Sequence, residues 1–503
     1  MLTDRRLVLT LVLLSAPAWG GQPDVESWGA YDVRHIPLSF VMGDLARLKG
    51  GTIAALAGGG VYFLKPDGTL AAQSSMSGGM LQGDPVALKD GDVAVVSPGR
   101  RSAPSGGGVF PFLKLLTSLM PTSRKNGRLD FANPDLDRLS AKIFILGPDG
   151  RERGELEVQG KVWALTALRE GGAAAGLQPP GVVFLDAAGK VRDRIGAEAF
   201  LRFPGETRGG SAIHRILELP DGRLLVSSFL RTYVLGRDRK TLAPWSMGSM
   251  LALKSGAIAA TTSSASPGGM ALVLASADGA VRAKLIEDAK GFIIVKMAEL
   301  DGGDVAVGLY TGDLFVFGPD GRRKWRFKLS GAPTSSPIRL RNGGILVGSK
   351  DRRLYFLSPE GALLGRYKME GPLAGRPVEM PDGTILAATT ELGSSHNLYL
   401  FTPTGRAFVD MPIASGGKCR VAGSMDYPYG YDDACPKMNE KINERAFQAG
   451  VEDMCISQYA DSRPTNFRWT SCRATPQGIK QVLLSYDCEV CSDDAGSKEP
   501  ARR

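Results

Sequence analysis

Leu314-Phe315-Val316-Phe317-Gly318-Pro319-Asp320-Gly321 is a short apolar run that stops at a turn, and its reading decides the fold. Four large apolar residues in a row fit a strand buried on both faces and are too few for a helix. In the turn, Pro sets φ, Asp bonds its own backbone and Gly accepts positive φ. The same grammar returns at 61–64 before Pro66-Asp67-Gly68, at 143–146 before Pro148-Asp149-Gly150 and at 182–185 before Gly189. A worn copy at 233–235 runs to Lys240. Further copies stand at 271–274 before Gly279, at 354–357 before Pro359-Glu360-Gly361 and at 398–401 before Gly405.

The turns at 150, 189, 240, 279, 321, 361 and 405 recur about every 40 residues, the period of a propeller blade. The wide gap from 68 to 150 holds a normal second strand, Asp92-Val93-Ala94-Val95-Val96, and then an insertion over about 98–139. Each copy is preceded by another short strand announced by its own turn, as at Asp221-Gly222 and Asp382-Gly383, which is a hairpin signal. No 3.6-residue period competes. The expectation is an all-β, eight-bladed propeller over 35–415, with seven blades as the alternative if 233–235 is not a blade. The 64 glycines and 31 prolines supply its turns, and 43% hydrophobic residues supply its core. Loops between second and third strands read long in blade two, blade three (169–180) and blade five (262–269), all on one rim.

The stretch Gly321-Arg322-Arg323-Lys324-Trp325-Arg326-Phe327, then Ser335-Ser336-Pro337, then Gly348-Ser349-Lys350-Asp351 and Leu354-Tyr355, resembles the repeat of the pyrroloquinoline-quinone-like β-propellers. The likeness is good over 321–405 and covers the propeller alone. It departs where the family does chemistry. A tryptophan follows the turn only at Trp325 and Trp245, and the propeller lacks the adjacent Cys-Cys pair of the family's quinone dehydrogenases. What the resemblance implies is therefore the non-catalytic, scaffold branch, with no quinone, haem or metal cofactor. A quinoprotein oxidoreductase, or a lyase or hydrolase using acidic residues of the rim, is the alternative.

Catalytic raw material is scarce. The three histidines, His35, His214 and His396, match no zinc or nucleophile motif. Asp67, Asp149, Asp221, Asp320 and Asp382 recur once per blade without the alternating oxygen donors of a calcium loop, so they read as turn formers. Two surfaces could bind a partner. Arg322, Lys324, Arg326 and Lys328 alternate along a strand and place four cations on one face, either a stripe for anionic glycan or lipid head groups or a charged edge against aggregation. Phe110, Phe112, Leu115 and Leu116 form an apolar run inside the blade-two insertion, a cap for the propeller mouth or a patch for a protein.

Residues 1–20 order Arg5 and Arg6, an apolar run over 7–14 and the small residues Ala16, Ala18 and Gly20, the layout of a secretory signal. No later stretch has the length of a membrane helix. The chain is expected to be exported, periplasmic or extracellular, with a protein or anionic glycan of the cell envelope as partner. Nucleic acid is not expected despite the net charge of +9, because no binding module is recognised. Cys419, Cys435, Cys455, Cys472, Cys488 and Cys491 are all the cysteines, confined to a tail over 416–503. An even set in an exported chain reads as three disulfides in a small α/β module, with a helix over 436–459 after a lead carrying Tyr427, Tyr429 and Tyr431.

Overall fold

A computed structural model describes residues 25–98, 139–201, 212–289, 296–408, 419–431, 462–474 and 480–491, with short breaks in the first, third and fourth spans, and two-residue strands at 124–125 and 128–129. Seven four-stranded antiparallel sheets follow one another in sequence order. From first to last strand they run Val41–Arg47 to Leu70–Ser75, Gln82–Ala87 to Glu152–Gln159, Lys161–Ala167 to Val191–Ile195 and Arg215–Glu218 to Thr241–Trp245. The next three run Met247–Ala252 to Val281–Ala289, Lys296–Glu299 to Arg323–Lys328, and Ile338–Arg339 to Leu363–Lys368. First strands touch first strands of neighbouring blades, so they surround a central channel.

The eighth blade is made from both ends of the propeller. Val378–Glu379, Ile385–Ala388 and Leu398–Pro403 supply three strands, and Tyr31–Ile36 pairs with the last of these from Tyr31 opposite Pro403 to Ile36 opposite Leu398. Val25–Trp28 adds a fifth strand, so the propeller sheets start at Val25, upstream of the boundary expected at 35. The eight apolar runs read from the sequence are the third strands of the eight blades. The worn one is Thr232–Leu235, fully buried like the rest, so the ring has eight blades rather than seven. Among the described residues the only helices are the four-residue Glu198–Leu201 and a 3-10 turn at Asp301–Gly303.

Second and third strands are buried on both faces because each blade packs on two neighbours. Ala306, Leu314 and Val316 of blade six, for example, share one cluster with Ile345, Val347 and Tyr355 of blade seven. In several blades the turn after the third strand rests on the last strand of the blade before it, as Gly150 does on Ala72 and Gly321 on Ala283. Gly361 shows why that turn needs glycine: its φ is +87°, and a Cβ there would lie 2.5 Å from Cδ2 of Trp325. Trp325 also donates from Nε1 to the carbonyl of Pro359, at 2.9 Å, so the indole both packs on and bonds to the Pro359-Glu360-Gly361 turn.

Two expectations need correction. Residues 169–180 do not form a long loop in blade three, because Ala173–Gln178 is its second strand. Its small side chains let neighbouring blades approach closely: Ala173, Ala174 and Ala175 are fully buried, and a Cβ on Gly176 would sit 2.4 Å from the carbonyl oxygen of Ile213. The tail, as far as it is described, is all strand rather than α/β. Cys419–Tyr431, Lys480–Cys491 and Ser462–Ala474 form a three-stranded antiparallel sheet with Lys480–Cys491 in the middle. Tyr427, Tyr429 and Tyr431 thus belong to a strand, their aromatic period-two spacing prevailing over the intervening Pro428 and Gly430. The helix expected over 436–459 lies outside the described residues, as do Cys435, Cys455 and the signal at 1–20. Cys488 is buried, and Cys419 stands directly opposite Cys491 in the register.

Candidate functional site: the channel collar

Each first strand ends in a Leu or Met whose N–H closes the turn to the second strand, at Leu48, Leu88, Leu168, Leu219, Leu253, Leu300, Leu340 and Met380. Counting four residues back from each gives one equivalent position per blade: Asp44, Asp84, Ala164, Arg215, Ser249, Lys296, Ser336 and Arg376. These positions form a collar around the channel. Its charge is split by blade, acidic in blades one and two and basic in blades four, six and eight.

The acidic pair has a structural task. In blades one and two the first strand bulges, leaving residues 43–45 and 83–85 out of register with the second strand. Glycines at positive φ, Gly43 and Gly83, make those bulges. The Asp84 carboxylate then accepts from the N–H of Asp44 at 2.7 Å, and the Asp44 carboxylate accepts from the N–H of Arg376 at 2.6 Å. A Cβ on Gly43 would fall 2.4 Å from Asp84 Oδ1, so glycine is what admits the carboxylate. Burial, helped by the neighbouring Asp84 charge, raises the pKa of Asp44 against the opposing pull of Arg376 and Lys296. These two carboxylates stitch blades eight, one and two together.

On the other side of the collar, Lys161, Trp163, His214 and Arg215 line a cavity of about 470 Å³ between the first strands of blades two, three and four, with Gln82 and Asp84 at its blade-two side. Trp163 is the extra residue of a bulge between Val162 and Ala164. Its Nε1 donates to Oε1 of Gln178 at 2.8 Å, and the Lys161 ammonium lies 4.0 Å from its ring centroid. Burial, and then the adjacent Arg215 charge, lowers the pKa of His214, which keeps that imidazole neutral at pH 7. The cavity also touches Val96, on the strand that ends at Pro98, where the blade-two insertion departs.

The surfaces singled out from sequence lie elsewhere. Arg322, Lys324, Arg326 and Lys328 are on or beside the outer strand of blade six, and each cation has an acid: Asp320 at 3.6 Å, Asp304 at 2.6 Å, and Asp313 at 2.7 and 3.8 Å for the last two. Phe110, Phe112, Leu115 and Leu116 lie outside the described residues. His35 packs at 4.7 Å between ring centroids on Tyr399, with Nε2 3.3 Å from the Tyr367 hydroxyl, a placement that serves the blade-eight core. Among the described residues no group of three His, Cys, Asp or Glu is placed to hold a metal ion. Sequence reading missed the collar because its eight members share a place and not a residue type. The count back from the Leu or Met before each turn would have found it.

No protein-family model matches the chain, and no curated protein does. Solved structures do. The Dos1 propeller aligns with 77% of this chain and 97% of its own at 8% identity, TM-score 0.53. The computationally designed Ika8 protein aligns with 75% of this chain and 100% of its own at 12% identity, TM-score 0.50. BamB from Moraxella catarrhalis aligns with 75% of this chain and 99% of its own at 14% identity, TM-score 0.49. At these identities the likeness is one of fold, and the fold is the propeller.

Proposed function

We propose that the chain is an exported, non-catalytic propeller that holds a protein or anionic glycan of the cell envelope on the rim from which the blade-two insertion rises. The observation that carries the reading is the asymmetry of the two rims. On one, the turns between first and second strands close on a single Leu or Met N–H in every blade. On the other, the connection that is a four-residue turn at 57–60 becomes the excursion from Pro98 to Ser140 in blade two. That excursion leaves the blade intact, because Pro98 and Ala141 are paired neighbours in the sheet. A long loop kept on a rigid scaffold is where binding residues are found in such folds. The Cys-rich tail would add recognition or anchoring, held by disulfides in an oxidising compartment.

Crosslinking pull-down from the native envelope, with the full chain and with a variant shortened between Pro98 and Ser140, tests this. The full chain should capture a partner that the shortened, still folded variant does not. Equal capture by both would exclude the insertion as the binding element.

A further inference from the structure

Among the described residues, cations drawn into cavities or the core commonly have an acid beside them. In the cavity of about 370 Å³ on the opposite rim, Arg239 lies over the Phe184 ring at 4.1 Å and meets Glu170 at 3.0 Å and Asp193 at 3.4 Å. In blade seven, Arg353 meets the buried Asp351 at 3.5 Å. Lys161 and Arg215, both half-buried in the collar cavity, have no such acid: neither makes an ion pair or side-chain hydrogen bond with any described group. Burial is the one influence on either charge, depressing the pKa of both, with no carboxylate field to offset it. Asp84 lines the same cavity, its Oδ1 accepting from the N–H of Asp44, but it lies beyond ion-pair distance of both cations. Leaving two cations desolvated and unpaired on one wall is costly unless something else brings the negative charge.

We propose that this cavity is a binding site for an anionic group, a phosphate or a carboxylate. Arg215 supplies the planar fork that such groups accept in two hydrogen bonds, and Lys161 supplies a second charge steadied by the Trp163 face. The neutral His214 imidazole adds a wall beside Arg215. A volume of about 470 Å³ admits the anion with a small body attached. The anion could be free in solution or be an acidic side chain that a partner inserts into the channel mouth; the shared chemistry is the oxyanion. This inference stands apart from the rim reading, since it concerns first-strand residues and not the insertion.

Calorimetric titration of the full chain at low salt, with inorganic phosphate and with a hexaglutamate peptide, tests it. At least one probe should bind, and Arg215→Gln and Lys161→Gln should each weaken it tenfold or more. Lys324→Gln, which removes an ammonium already held by Asp304 on the outer strand, should leave binding unchanged. Phosphate binding assigns the site to a free anion, and binding of the peptide alone assigns it to a partner's side chain. If Arg215→Gln fails to fold by circular dichroism, Lys161→Gln decides. Binding of neither probe, or binding that the collar variants leave intact, overturns the proposal.

Discussion

Gly361→Ala tests how one blade is fastened to the next. The new Cβ would stand 2.5 Å from Trp325 Cδ2, and the backbone would hold alanine at φ of +87°. Left-handed backbone costs a non-glycine residue about 1 kcal/mol, and forcing a methyl into a packed contact costs about 1–3 kcal/mol, so the sum is about 2–4 kcal/mol. The two parts separate by a cycle. Trp325→Ala removes the obstacle, so Gly361→Ala in that background should cost only the backbone part, about 1 kcal/mol. Trp325→Ala alone loses a half-buried indole and its bond to Pro359, about 2–3 kcal/mol. The double variant should therefore be more stable than the sum of the singles by about 1–3 kcal/mol, a coupling that urea midpoints read directly. Strictly additive costs would show that the indole does not rest on this turn.

Asp313→Asn should change acid sensitivity. Burial alone would raise the Asp313 pKa, but hydrogen bonds from Thr311 and Arg326 outweigh it and hold the group below the usual carboxylate range. A carboxylate depressed in the fold stabilises above its unfolded pKa and loses that contribution as pH falls through the folded one. The variant should thus be less stable by about 1 kcal/mol at pH 7, with the gap closing towards pH 3; a gap independent of pH in urea midpoints would refute the pairing. Peptide mapping of the non-reduced protein should recover a Cys419–Cys491 bond, because the two face each other across neighbouring strands, and Cys488 joined elsewhere. Free thiols or bound zinc at these positions would count against a disulfide tail. Protein reconstituted with pyrroloquinoline quinone and calcium should oxidise neither alcohols nor sugars, and turnover in a dye-linked assay would return the enzymatic reading.

The blade count was legible because the third strand is the most constrained of each blade. It is buried on both faces and ends in a turn that in most blades holds a glycine at positive φ, so Val61 to Leu64 and Leu354 to Leu357 look alike across most of the chain. First strands were harder to read. They face a narrow channel, need no continuous apolar run and bulge in several blades, so Asp44, Asp84 and Trp163 look like loop residues in one dimension. Ala173–Gln178 reads as a loop because alanine and glycine, which let neighbouring blades approach closely there, are weak strand formers in sequence. Burial of charge is invisible in the sequence, so Arg215 and Lys161 gave no sign of their isolation, while Lys324 and Arg326 of the more conspicuous Arg322 to Lys328 run each have an acid beside them.

The pairing of Tyr31–Ile36 with Leu398–Pro403 sets the order of events in making the molecule. Tyr31–Ile36 has Val25–Trp28 beside it on one edge, but its partner on the other edge is at the far end of the chain, so during synthesis that edge must wait for nearly the whole ring to arrive. Until then two sheet edges stand open, one on blade one's side and one on Leu398–Pro403, each able to pair with a second copy instead. Ring closure is the contact of greatest sequence separation and carries the largest loop-closure entropy, so it should be a late and slow step. A helper that shields an open sheet edge would act in that interval, and dimers formed by exchanging Tyr31–Ile36 between chains are the misassembly it would prevent.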